Sequence, residues 1–527
     1  MNTSIQSLRN QGEQLAAERR WGEAIRCFEL ILQRAPNDAS AMLQLSYLHS
    51  LAGSYRQGRH FAMLAHAAKP VQQDVIAELI SRLRTFNEPQ AILENIRRLG
   101  RLDNVSIPLL LQFAQRLSFL NLQPMALRFI DEAKRGDPGY PPTLSARAQV
   151  LTYLGRFEEA EGELKRCLAL APDLAQPYWL LSRLRKWTVE DNHVGLIRQQ
   201  LQRSGRTPDD VALLNYALHK ELDDLQIYGE AWDALTDACR SRRSQISYRT
   251  EDSQALVDSL VAMPHLPVAG GPGAATATTT TPTTTPIFIV GMHRSGTTLL
   301  EQILAGHDEV VDMGELYDFT SQMRWACDHH CRGVIDLEIV KRAPAVDFSS
   351  VGSGYLEGIS WRLAGKRFAV DKLPSNFLNL GFILTALPHA RVLHMVRDPM
   401  ETCFSNLREL FSDACPYSYD QQEMAEFYAL YRELMAHWHA RFPGRILDVH
   451  YDRLVRDTET CVRGIADYCG LGFQPPMLEI SSPGRAVATA SAVQVRGGIE
   501  WRAVPKWQAY TEGLQPLARR LAALGIT

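Results

Sequence analysis

Proline recurs in this chain with a fixed phase. It stands at Pro36, Pro70, Pro138 and Pro172, at intervals of 34, 68 and 34 residues, so one 34-residue period runs on with a single absent member at Asn104. Twelve positions before each of these five points stand Ala24, Gly58, Ile92, Ala126 and Ala160, and twelve earlier again Gly12, Ser46, Ile80, Ala114 and Ala148. Small or apolar residues at equivalent points let two helices approach closely. A proline at the end of each period stops the second helix, because it has no N–H to donate and clashes with the preceding turn. The pattern therefore demands a stack of helical pairs, each burying its apolar face against its neighbours.

The stretch RWGEAIRCFELILQRAPND shows one second helix, with Ala24, Phe28 and Leu32 on one face, and RFEEAEGELKRCLALAPD repeats it with Phe157, Ala160 and Leu164. This helix-turn-helix period resembles the tetratricopeptide repeat, in about five copies over residues 5–174. A further pair, DDVALLNYALHKELDDLQIYGEAWDALTDACRSRR, is expected to cap the stack, placing an all-α solenoid over residues 1–250. The resemblance implies a concave surface for a protein or peptide partner.

At 527 residues the chain is long for one domain, and its balance of 46% hydrophobic and 22% charged residues supplies ample core. A net charge of −3 argues against a nucleic-acid coat. Nine scattered cysteines give neither a disulfide scaffold nor zinc-site spacing, so no metal is expected and a reducing compartment suits the chain. No apolar run reaches the roughly 20 residues of a membrane span, and the polar N-terminus lacks a signal core, so a cytoplasmic location is expected. A homodimer stays open. Residues 267–286, PVAGGPGAATATTTTPTTTP, hold no charge and no large side chain, and they read as the core of a linker over 263–286.

After the linker, residues 287–527 are expected to form an α/β domain. Ile287 to Val290 is a short buried-strand run, followed by the loop GMHRSGTT and a helix with Leu299, Leu300, Ile303 and Leu304 on its apolar face. Strand, loop and helix N-terminus aim backbone N–H groups at one point. Gly291 and Gly296 admit close approach of an anion, Arg294 adds a fork of donors, and Ser295, Thr297 and Thr298 add hydroxyls. The spacing is that of a nucleotide-triphosphatase loop, but Thr297 stands where that loop has lysine. A second apolar strand, Val392 to Val396, ends at Arg397, with Ser405 eight residues on, where arginine and serine can converge on a further phosphate.

The R-S-G-T-T loop followed by this Arg/Ser segment resembles the two phosphate sites of sulfotransferases that use 3′-phosphoadenosine 5′-phosphosulfate. Over residues 286–515 the chain is most similar to tyrosylprotein sulfotransferases and their repeat-bearing bacterial relatives. That resemblance implies a P-loop-like, mainly parallel sheet flanked by helices, and the bisphosphate 3′-phosphoadenosine 5′-phosphate as product. It implies Glu315 as base, Lys372, Arg294 and Ser491 as transition-state stabilisers, and Tyr451 and Lys506 as nucleotide contacts alongside Gly291, Arg294, Ser295, Gly296, Thr297, Thr298, Arg397 and Ser405.

For sulfuryl transfer to an alcohol, Glu315 is expected to take the acceptor proton, its own pKa raised by partial burial. Lys372 and Arg294 would neutralise the departing oxygens, with no metal required. His293, inside the loop, is expected to face the nucleotide or pack structurally. Tyrosine in a protein is one candidate acceptor, and a carbohydrate or lipid headgroup another. An inactive nucleotide-fold scaffold and a kinase are the competing readings, the latter weakened by the missing loop lysine. Glu315 is followed by LYDFTSQM, with no basic residue before Arg324 to read acidic groups beside a tyrosine.

Overall fold

The structure, a computed structural model, describes residues 4–266, 284–411, 413–479, 493 and 505–526. It comprises two compact units, residues 1–138 with 317–355 and residues 139–316 with 356–527. Elements are numbered in chain order throughout.

In the first unit α1 (Ile5–Ala17) and α2 (Trp21–Arg34), α3 (Ala39–Leu51) and α4 (Tyr55–Ala67), α5 (Gln73–Thr85) and α6 (Pro89–Arg98), and α7 (Ile107–Phe119) and α8 (Gln123–Gly136) pack as pairs. Pro36, Pro70 and Pro138 each stand two or three residues past the second helix of a pair. At the absent member, Asn104 closes a short 3-10 turn instead. The period marks contact: a Cβ on Gly12 would lie 2.7 Å from the Phe28 ring, and one on Gly58 2.8 Å from the Ser50 hydroxyl. Ala24, Ser46, Ile80, Ala114 and Ala126 are buried at the equivalent places.

Residues 317–355 complete this unit with α17 (Asp318–Cys327), α18 (Leu337–Arg342) and most of α19 (Phe348–Ile359). Tyr55 packs edge-on to Phe86 at 5.1 Å, and the Ser321 hydroxyl donates to the Phe86 carbonyl at 3.1 Å. Arg56 donates to the carbonyls of Trp325 and Ala326 at 2.9 and 2.7 Å. Arg324 is buried, donating to the carbonyls of Cys331 and Gly333, which leaves it a structural residue.

The second unit opens with the fifth helical pair, α9 (Pro141–Tyr153) and α10 (Phe157–Leu170), Pro172 following α10. Next come α11 (Ala175–Ser182), α12 (Val194–Leu201), the packed pair α13 (Pro208–Asp224) and α14 (Tyr228–Arg243), and α15 (Thr250–Val261). A sheet follows, in the order β2 (Val310–Asp312), β3 (Phe368–Asp371), β1 (Thr285–Gly291), β4 (Arg391–Val396), β5 (Ile446–His450), every neighbouring pair parallel. β1 is buried from Pro286 to Gly291, as its continuous apolar run requires. Ile287, Ile289, Leu393 and Met395 form one core with Leu300 and Ile303 of α16 (Thr297–Leu304) and with Val462 and Ile465 of α24 (Thr458–Cys469).

Both parts of the expected fold class are therefore present: a helical repeat array resembling tetratricopeptide repeats, and a parallel sheet flanked by helices. The connection from β1 runs to β2 and β3 on one side, and the chain then crosses to β4 and β5 on the other. The carboxyl end of β1 lies at this reversal, where open α/β sheets place their ligand crevice. The first strand begins at Thr285, so the last residues of the Thr/Pro-rich stretch are sheet, while residues 267–283 lie outside the described residues.

Candidate active site

The loop after β1 is shaped by two glycines. Gly291 has φ of +148°, and a Cβ there would lie 2.7 Å from the Met395 carbonyl oxygen on β4. Gly296, the N-cap of α16, has φ of +110°, and a Cβ there would lie 2.6 Å from the Tyr451 ring. Arg294 between them adopts φ of +66°, a left-handed conformation uncommon for a residue with a side chain. The Ser295 hydroxyl donates to the Met292 carbonyl at 2.7 Å, so it braces the loop. Thr297 and Thr298 are buried in the first turn of α16, which carries no acidic residue to offset its positive dipole end.

Arg397, just past β4, reaches this loop. Its Nη1 donates to the Arg294 carbonyl at 3.0 Å, Nη2 pairs with Glu401 at 3.1 Å, and its guanidinium lies 4.5 Å from the centre of the Tyr451 ring. Arg294 Nε in turn donates to the Ser405 hydroxyl at 3.3 Å, on α21 (Pro399–Leu407). Tyr451 begins α23 (Tyr451–Arg456) directly after β5. Thus Arg294, Gly296, Arg397, Ser405 and Tyr451, drawn from three strand ends, meet at one place. Lys506 opens a 3-10 turn whose Tyr510 packs on Phe404 of α21 at 5.0 Å, and its charge reaches Asp223 and His219. Ser491 lies outside the described residues.

Lys372 follows β3 and is wholly buried. Its Nζ lies 2.7 Å from Glu315 Oε1 and 3.8 Å from Glu301 Oε2. Glu315 stands beyond the end of β2, with its side chain 41% exposed. Desolvation works to raise its carboxyl, but the charge and hydrogen bond of Lys372 outweigh this and hold it below the ordinary carboxylate range. The expectation of a raised pKa at Glu315 is thus corrected: a burial argument cannot see a cation 57 residues away in the chain.

The raised carboxyl is Glu301, in α16. Burial pushes it up to about 7 against the pull of Lys372, and it accepts from the Gly314 N–H at 3.1 Å. Because its folded pKa lies above its unfolded one, its contribution is fully present below 4.5 and is lost as pH rises through about 7. Glu301→Gln should remove that loss. Its melting temperature should vary less between pH 5 and pH 8 than that of the parent, with a gain of up to about 3 kcal/mol at the alkaline end. Parallel melts with the same slope would refute this placement of the charge.

His293 is a neutral packing residue. Burial pulls it down to about 4, its ring lies edge-on to Phe411 at 5.6 Å, and its Nδ1 has no hydrogen-bond partner among the described residues. The charges of Glu315 and Lys372 reach its ring, so the carboxylate–ammonium pair adjoins the loop.

Sequence reasoning missed three groups that hold this arrangement. Glu301 interrupts the apolar face of α16, a signal that could have been read. Glu409 pairs with Arg183 at 2.9 Å and approaches Arg294 at 3.7 Å. Asn406 donates to the His293 carbonyl at 2.7 Å. The last two carry no local signal.

Residues 286–475 match the model of the sulfotransferase family. The chain is 28% identical over 409 residues to an uncharacterized protein of Aquifex aeolicus, a match covering 74% of this chain and 52% of that protein, so it spans about half of that relative's length. It is 25% identical over 265 residues to protein-tyrosine sulfotransferase 2 of Gallus gallus, covering 45% of this chain and 68% of that one. Among solved structures it is similar to the sulfotransferase domain from the Synechococcus PCC 7002 olefin synthase, with 18% identity, 45% of this chain and 95% of that one covered, and a TM-score of 0.29. The family match thus places the likeness to sulfotransferases at residues 286–475, in the part of the chain that holds the parallel sheet.

Proposed function

We propose that this domain transfers a sulfuryl group from 3′-phosphoadenosine 5′-phosphosulfate to an acceptor hydroxyl, with protein tyrosine the acceptor to test first. One observation carries the reading: the Arg397 guanidinium on the Arg294 carbonyl, with Arg294 on Ser405, joins the glycine loop to the Arg/Ser segment. The donor set fits a nucleotide with two phosphate positions. A Cβ at Gly291 or Gly296 would meet the Met395 carbonyl or the Tyr451 ring, and the Arg397 guanidinium reaches the loop at the Arg294 carbonyl. Gly291, Ser295, Gly296, Thr297, Thr298 and Arg294 would hold the 5′ end, while Arg397, Ser405 and Lys506 would hold the 3′-phosphate beside Tyr451. When bound, the phosphosulfate supplies an activated sulfuryl group.

The chain's own residues would do the rest. Glu315, ionised because Lys372 keeps it so, accepts the proton of the acceptor hydroxyl as its oxygen bonds to sulfur. Lys372 and Arg294 face the oxygens that gain charge as the bond to the 5′-phosphate breaks. Among the residues after Glu315, Arg324 is buried in hydrogen bonds to carbonyls, so selection of acidic peptides by that residue is not part of the proposal. The solenoid would deliver or recruit a protein partner.

The test is transfer from ³⁵S-labelled phosphosulfate into tyrosine peptides, a sugar alcohol and native extract, resolved by mass spectrometry. We expect labelled product from the parent protein. Glu315→Gln should keep nucleotide binding and lose about a hundredfold or more in transfer. Absence of label in every acceptor, or undiminished turnover by Glu315→Gln, would overturn the assignment.

A further inference from the structure

β4, β5 and the helix packed beside them gather ligating side chains that the transfer reaction does not use. β4 and β5 pair with His394 opposite Asp448, and α22 (Gln421–Arg441) brings His439 over both. His394 Nδ1 lies 2.7 Å and His439 Nε2 2.8 Å from the same Asp448 Oδ1, and the three atoms lie within 4.8 Å of one another. Two imidazoles and one carboxylate offered from three elements form a donor set suited to zinc-class metals.

We propose that His394, His439 and Asp448 bind one divalent transition metal of the zinc class, with its remaining position open to a cavity. Three further observations support the assignment. The His394 ring is buried, and its second nitrogen meets the Tyr431 hydroxyl, the outer partner that fixes which nitrogen faces the metal. Without metal, Nδ1–H donates to the Asp448 carboxylate; a bound metal would displace that proton, and Nε2–H would then donate to Tyr431. His439 and Asp448 are partly exposed, so the site has an entry path. The three residues line a cavity of about 1150 Å³, together with Val396, Arg432 and His450, roomy enough for a fourth, exogenous ligand.

The geometry is close to what a metal needs. Ligand atoms at about 2.0–2.1 Å from a tetrahedral ion stand roughly 3.3 Å apart. The two nitrogen–oxygen separations must therefore open by about half an ångström, which rotation of the partly exposed His439 and Asp448 side chains can supply. A hydrogen-bonded His–Asp–His group without metal affinity is the competing reading.

The test uses the full chain stripped by a chelator and titrated with Co²⁺, followed by the visible ligand-field bands that distinguish four-coordinate cobalt. We expect saturation at one metal per chain, displacement by Zn²⁺, and no sulfur-to-cobalt charge transfer. His439→Ala and Asp448→Asn should each weaken binding by about a hundredfold or more, beyond the roughly 10–100-fold cost of losing an outer partner. Both variants should still bind 3′-phosphoadenosine 5′-phosphate like the parent, which shows that they fold. A spectrum without four-coordinate bands, or equal Co²⁺ affinity in the parent and both variants, would overturn the site. Either outcome leaves the sulfuryl-transfer reading untouched, since none of the three residues serves it.

Discussion

Lys372→Met should slow transfer and weaken the fold at once, the largest combined effect expected of any single substitution here. Lys372 has no exposed surface and is the cation between Glu315 and Glu301. Methionine keeps the length of the side chain and removes the charge, leaving two carboxyls without their shared partner. Breaking a buried pair in this way costs about 3–5 kcal/mol. The lower end applies, because Glu315 can turn to solvent and Glu301, already raised to about 7, can take up a proton. Thermal melts should show the loss, and it should shrink at low pH as the stranded carboxyls are neutralised. Single-turnover transfer should fall about a hundredfold or more, the usual result of removing one preorganised donor from developing charge. A variant that melts like the parent would place Lys372 outside the pair, and one that keeps its transfer rate would remove it from the reaction.

Arg397→Ala should uncouple the two ends of the nucleotide site. The guanidinium makes three contacts: the Arg294 carbonyl, the Glu401 carboxylate and the Tyr451 ring. On the proposed reading its removal would withdraw a charge-assisted donor from the 3′-phosphate, worth about 2 kcal/mol or roughly thirtyfold in affinity. It also frees the Arg294 carbonyl, so the loop itself should loosen somewhat. These losses separate by ligand, because adenosine 5′-phosphate lacks the 3′ group and reports the loop alone. Ser405→Ala should act in the same direction and less strongly, since it removes one neutral hydroxyl.

Much of this was legible from local pattern. The proline phase announces the helical pairs because each repeat solves the same packing problem with neighbours close in sequence. The apolar runs before Gly291 and Arg397 announce buried parallel strands for the same reason. What could not be read are meetings between residues far apart in the chain. Residues 317–355 pack on Tyr55 and Phe86 of the repeats, and nothing in their own composition says so. Glu409 finds Arg183 and Arg294 only through the fold. The direction of the Glu315 shift was misjudged because burial and a neighbouring ammonium act oppositely, and only distance decides which wins. The His394–Asp448 pairing depends on strand register, which the apolar pattern alone does not fix.

On the proposed reading, the loop after β1 and the Arg397–Ser405 segment grip opposite ends of one nucleotide. Calorimetric titration of the parent and Arg397→Ala with 3′-phosphoadenosine 5′-phosphate and with adenosine 5′-phosphate tests it most directly, because the four affinities form a closed cycle between the side chain and the 3′-phosphate. The parent should prefer the bisphosphate, and most of this preference should vanish in the variant. Equal affinity of the parent for both nucleotides, or a preference that survives loss of the guanidinium, would contradict it.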